Sequence, residues 1–153
     1  MHNNEVRLVE LMPLFRERLA AGENVQFTPQ GTSMKPMILG GRDQVILSPK
    51  PEKWKKYDLP FYRRDNGQYV LHRIVKVGQT FTCVGDNQYE YEKGVRPDQM
   101  IAIATGFVHK GKQYRTDQLS WRIYYRLWHW SRGTRYFFKR IQWKIQRMKK
   151  DAS

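Results

Sequence analysis

Between residues 25 and 112 the sequence is cut into short runs of strand-forming residues by turn residues, which constrains this stretch to a small β domain. Gly41-Arg42-Asp43 feeds the run Gln44-Val45-Ile46-Leu47. Asp65-Asn66-Gly67 is the clearest hairpin signal, because Asn-Gly accepts the backbone angles of a tight turn. Beyond it, residues 69–77 read as one continuous strand carrying Leu71-His72-Arg73-Ile74-Val75, and Phe81-Thr82-Cys83-Val84 ends at Gly85-Asp86-Asn87. The pattern predicts a mainly β, partly open barrel with a helix before it and helical segments after it. A chain of 153 residues can bury one core of this kind. Three segments follow: 1–22, 23–114 and 115–153.

The first segment has apolar residues at Val6, Leu8, Val9, Leu11, Met12, Leu14, Phe15 and Leu19, a recurrence that suits an amphipathic helix ending at Gly22 despite Pro13. Charged residues interrupt it too often for a signal peptide or a membrane span. The last segment is different in kind. Most of the net charge of +14 lies after Leu119, where Arg122, Arg126, Arg132, Arg135, Lys139, Arg140, Lys144, Arg147, Lys149 and Lys150 meet no acidic residue before Asp151. Aromatic residues are interleaved throughout. Trp121, Tyr124, Tyr125 and Trp128 follow one helical face, and after a break near Ser131 to Gly133 so do Phe137, Ile141 and Ile145.

A basic helix with a Trp-rich and Phe-rich side has the composition of a peptide lying in the interface of an anionic membrane. Trp121, Arg122, Arg126, Trp128, Arg135, Lys139 and Arg140 are the expected contacts, and recurring arginines forbid a span. Single-stranded nucleic acid is the second candidate partner, and packing of the aromatic face on the barrel is the third reading. Cys83 is the lone cysteine, which excludes an intrachain disulfide and suits a small buried hydrophobe. His2, His72, His109 and His129 lack metal-ligand spacing, so neither a metal nor another cofactor is expected. With no signal peptide and no disulfide, the expected location is the cytoplasm or the inner face of a membrane.

Chemistry enters with Gly31-Thr32-Ser33-Met34-Lys35-Pro36. A serine hydroxyl is a poor nucleophile at neutral pH, and an imidazole titrating near neutrality can take its proton. Ser33 would attack and His72 would accept. Gly31 and Pro36 bracket the serine with restricted or unusual backbone angles, so a short loop can present the hydroxyl. Met34 is a candidate apolar contact for substrate. Lys76, four residues after His72 on the same face of a regular strand, is the competing base.

Three blocks in this order, residues 31–36, residues 71–77 and Gly85-Asp86-Asn87, resemble the S24/S26 serine peptidase superfamily, which includes the signal peptidases and self-cleaving repressors. The resemblance covers residues 25–112. His72-Arg73 looks like the histidine type found in signal peptidases of the endoplasmic reticulum. It implies Ser33 as nucleophile, His72 as general base, and an acidic residue after the Gly-Asp-Asn turn to orient the imidazole. Glu92 stands nearest that place, with Asp86 and Glu90 behind it. Asp86 can also close its own turn and support the site indirectly. The hydroxyl residue that signal peptidases carry two positions before the nucleophile is Gly31 here, as in the repressor branch, which implies the Ser33 amide as oxyanion donor, together with a loop neighbour or the Thr32 hydroxyl. The function implied is a serine endopeptidase cleaving a peptide or leader segment through an acyl-enzyme. Its rivals are a catalytically degraded binding module of the same fold, using the basic tail on membrane or nucleic acid, and a self-cleaving regulator.

Overall fold

The computed structural model describes residues 2–151, with side chains from residue 8 to residue 148. In chain order its elements are α1 (His2–Ala20), β1 (Val25–Phe27), β2 (Gln44–Pro49), β3 (Pro60–Arg63), β4 (Tyr69–Leu71), β5 (Arg73–Lys76), β6 (Phe81–Val84), β7 (Glu92–Val95), β8 (Met100–His109), β9 (Lys112–Arg115), α2 (Leu119–Trp130) and α3 (Arg132–Asp151). The protein is mainly β, with helices at both ends.

The strands form two antiparallel sheets. The first runs β1-β2-β8-β3-β4, with β9 also on β8; the second runs β5-β6-β7. β8 is the spine of the first sheet. It pairs with β2 along one edge, and with β3 and then β9 along the other. The turn around Asp65-Asn66-Gly67 joins β3 to β4 in register, with Arg63 opposite Tyr69, as a hairpin signal requires.

One expectation fails in an informative way. Residues 69–77 are not one strand: β4 belongs to the first sheet, β5 to the second, and His72 is the residue between them. The run Val70-Leu71-His72-Arg73-Ile74 is buried without alternation, because the chain is covered on both sides as it crosses from sheet to sheet. In the sequence no turn residue separates β4 from β5, which is what makes the two strands look like one.

The main core cluster joins α1 to the first sheet. Met12, Phe15 and Leu19, with Leu8 one turn earlier, meet Val45, Leu47, Phe61, Leu71 and Phe107. Positions 8, 12, 15 and 19 are the spacing of one helical face, whereas Leu11 and Leu14 stay exposed. α1 stops in a Schellman arrangement: Glu23 N–H donates to the Arg18 carbonyl at 2.9 Å and Gly22 N–H to that of Leu19 at 3.1 Å. Gly22 supplies the positive φ of 81° that this ending demands. A second cluster holds Tyr62, Ile74, Phe81, Val95 and Met100 around Cys83. Cys83 is a buried free thiol, its pKa pushed up to about 12 first by burial and then by the charge of Glu92.

The break between α2 and α3 falls at Ser131, within the expected stretch. Among the described residues no helix is long and apolar enough to cross a membrane.

The two faces of α1 give a direct test. Phe15→Ala should lower stability to urea by about 3 kcal/mol, the cost of emptying a buried aromatic site. Leu14→Ala should stay within about 0.5 kcal/mol of the parent chain, as exposed positions do.

Candidate active site

Ser33 lies on the loop between β1 and β2, half-buried, with Met34, Met37 and Ile38 packed beneath it in the main core. The loop is tied at both ends. Lys35 N–H donates to the Thr32 carbonyl at 3.2 Å and Ile38 N–H to that of Met34 at 3.0 Å. Further on, the buried Asp43 carboxylate accepts the Leu39 amide at 2.8 Å and meets His109 Nδ1 at 3.0 Å. Thr32 is exposed beside Ser33. Met34 is a core residue that also lines the cleft.

The Gly85-Asp86-Asn87 turn, just after β6, is pressed against the back of the serine. Asn87 N–H donates to the Ser33 carbonyl at 2.7 Å, and Asn87 Nδ2 to the Thr32 carbonyl at 3.2 Å. A Cβ added to Gly85 would stand 2.7 Å from the Ser33 carbonyl oxygen and 3.0 Å from Ser33 Cβ, so only glycine permits this approach.

His72 is almost fully buried at the crossing from β4 to β5. Its Nδ1 lies 3.4 Å from the Tyr62 hydroxyl and 3.6 Å from Glu92 Oε2. Tyr62 donates to that same Glu92 oxygen at 2.7 Å. The carboxylate is therefore beyond direct hydrogen-bond reach of the ring, and the tyrosine hydroxyl stands between them. Arg64 closes the far side of Glu92 with a fork, Nε to Oε1 at 2.8 Å and a terminal nitrogen to Oε2 at 2.7 Å. Burial acts to raise the Glu92 pKa, but the nearby His72 ring and the hydrogen bonds from Arg64 and Tyr62 outweigh it and hold the group well below the usual carboxylate range. Tyr62 moves the opposite way: burial first, then the Glu92 carboxylate, pushes its pKa far up and keeps the phenol protonated.

The other acidic candidates fall elsewhere. Asp86 is bound by Arg73 through two hydrogen bonds of 2.9 and 2.8 Å, both side chains being buried. It supports the turn and does not touch the imidazole. Glu90 and Lys76 are exposed, and neither lines the cleft described next. Because the chain leaves one sheet for the other at His72, and β5 carries an irregularity between Ile74 and Lys76, the regular-strand argument for Lys76 fails.

Ser33 and His72 line one open cleft of about 1040 Å³. Its walls come from Leu8, Leu11 and Phe15 of α1, from β1 and the residues after it, and from β4. β1 and β4 end the main strand order of the first sheet, so both carry backbone groups without a strand partner. The two side chains share the cleft without a hydrogen bond between them.

The basic tail divides unexpectedly. Trp121 packs its ring edge against Phe107, 5.0 Å between centroids, and Trp128 Nε1 donates to the Asp86 carbonyl at 2.7 Å. Tyr125 is buried, with the Arg73 guanidinium 4.3 Å from its ring centre. Arg132 is buried against the Gly85 and Gln88 carbonyls, and Arg135 stacks 3.6 Å from the Trp128 ring. Trp121 and Trp128 thus face the domain, and Arg135 is held against α2 by the Trp128 ring and carbonyl, so all three side chains are engaged within the chain. Arg122, Arg126 and Arg140 are exposed, and Lys139 lies between the Tyr89 and Trp143 rings.

Tyr62 and Arg64 are site members that the sequence reading passed over. They are 30 and 28 residues from Glu92, and only the β3–β4 hairpin packed against β7 brings them together. No family model, curated protein or solved structure matches the chain.

Two stability measurements check this geometry. Arg73→Met strands the buried Asp86 carboxylate and should cost about 3–5 kcal/mol in urea unfolding. Glu92 has a depressed folded pKa, so its contribution is complete above the ordinary glutamate value of 4.5 and fades as pH falls below it. Glu92→Gln should therefore be less stable than the parent at neutral pH, with the two curves converging toward acid.

Proposed function

We propose that this chain is a histidine-type serine endopeptidase built on a partly open barrel like that of the S24/S26 superfamily. The observation that carries the reading is that Ser33 and His72 line one cleft, with Nδ1 of the imidazole turned toward Tyr62 and Glu92. With Nδ1–H directed at the Tyr62 oxygen, Nε2 is the nitrogen left to act as base. The hydroxyl hydrogen of Tyr62 is committed to Glu92, so its oxygen is free to accept from the ring.

In the reaction, Ser33 Oγ forms a bond to the scissile carbonyl carbon while His72 takes its proton. The C–N bond then breaks, and His72 returns the proton to the leaving amine. Water, deprotonated by His72, attacks the resulting ester and restores the serine. Among the described residues the Ser33 amide donates to no other group, so it is available to the developing oxyanion, a contribution of about 3 kcal/mol for a well-aimed donor. The edge strands β1 and β4 suit an extended substrate running between them, and apolar walls from α1, Phe27 and Phe61 suit a weakly charged segment.

The second reading is a peptide-binding module of the same shape without turnover, favoured by the missing hydrogen bond between Ser33 and His72. In unliganded enzymes such contacts are often long and tighten only with substrate bound. The experiment is acylation of purified protein by a fluorophosphonate probe, read by intact mass. Wild type should label and Ser33→Ala should not, while His72→Ala should slow by about 10²–10⁴-fold, the usual worth of a general base. Tyr62→Phe keeps the ring and removes the bridge, so labelling should slow by about tenfold with the fold unchanged. Absence of labelling in folded wild type would leave the binding module standing.

A further inference from the structure

α2 and α3 each carry an apolar row that nothing in the described chain covers. On α2 the row is Leu119, Ile123, Leu127 and Trp130, with Leu119 70% and Trp130 83% exposed. On α3 it is Phe137, Ile141, Ile145 and Met148, at the same spacing of four, four and three. Such spacing keeps side chains on one helical face. α2 is not a loose helix that happens to show apolar residues. Its other face is engaged by Trp121, Tyr125 and Trp128 against the domain, so it is docked on one side and open on the other.

Charge selects the occupant of the open side. Ten Lys and Arg residues and no Asp or Glu lie between residues 119 and 150. Arg122 and Arg126 are interleaved with the row of α2, and Arg140, Lys144 and Arg147 with that of α3; all five are exposed. Nucleic acid would satisfy the charges but leave the aliphatic Leu119, Ile123, Leu127 and Met148 in water. An anionic bilayer satisfies both: its acyl region takes the aliphatic row, its headgroups take the cations, and tryptophan suits the boundary between them.

We propose that the outer faces of α2 and α3 lie on an anionic membrane surface, with Leu127 and Trp130 among the residues that enter it. The contact surface differs from the one the aromatic pattern suggests, because the tryptophans at 121 and 128 are spent on the domain. The proposal holds whether or not the cleft turns over substrate.

The test is flotation of the full chain with unilamellar vesicles, phosphatidylcholine alone or with about 30 mol% phosphatidylserine, at near-physiological salt. Wild type should float with the anionic vesicles at least about tenfold more than with neutral ones, and Leu127→Asp with Trp130→Asp should lose about tenfold or more. Arg122→Gln with Arg126→Gln should weaken flotation less and flatten its response to salt. In vesicles containing brominated lipid, wild-type tryptophan fluorescence should be quenched, and Trp130→Phe should lose most of that quenching while still floating. Both apolar sites are exposed, so circular dichroism can confirm that the variants fold. Undiminished flotation of the aspartate variant, or none by folded wild type, overturns the proposal. A gel shift with single-stranded oligonucleotide that needs the arginines but ignores the aspartates, without flotation, would give the surface to nucleic acid instead.

Discussion

The buried pair of Arg73 and Asp86 organises the parts around the candidate site. Bringing two charges out of water costs several kcal/mol for each ion, and only close, fully bonded geometry offsets it. Here the guanidinium reaches Asp86 through two hydrogen bonds, the Tyr57 carbonyl at 3.0 Å and the Met37 sulfur at 3.2 Å, under the ring of Tyr125. Those contacts tie together the serine loop, the segment before β3, β5, the turn after β6 and α2. What the fork adds is direction, since a guanidinium meets a carboxylate edge-on in few ways.

A second arginine–carboxylate fork, Arg64 to Glu92, lies on the other side of His72 and is only partly buried. The contrast in environment separates their roles. Asp86 is consumed by its partner and acts through the backbone it positions. Glu92 is held anionic by Arg64 while one of its oxygens still serves Tyr62, and through Tyr62 the imidazole. The serine side of the cleft is shaped by the first fork and the histidine side by the second.

Much of this was legible in the sequence, and the rest was hidden for definable reasons. Asn-Gly turn chemistry marked the β3–β4 hairpin, and the loss of helical period near Ser131 marked the α2–α3 break, because both are local signals. The division at His72 was invisible, since no turn residue separates β4 from β5 in the sequence. The orientation of α2 was equally opaque. Apolar residues ring that helix, so periodicity could not say whether Trp128 or Trp130 turns inward; the Asp86 carbonyl that accepts the Trp128 indole, 42 residues away, decides it. Glu92 could be named, ahead of Asp86 and Glu90, only through the family resemblance, and Tyr62 and Arg64 come to it only through tertiary packing.

The position of His72 has a consequence for modularity. The imidazole belongs to neither sheet, being mounted where the chain passes from one to the other. Ser33 is shared in the same way: its loop grows from the first sheet at both ends, and a turn of the second clasps it from behind. Neither group can be carried off on a single hairpin or loop with its setting intact. The smallest transplantable unit that keeps hydroxyl and imidazole in one cleft is the pair of sheets together, and their spacing is a property of how those sheets dock.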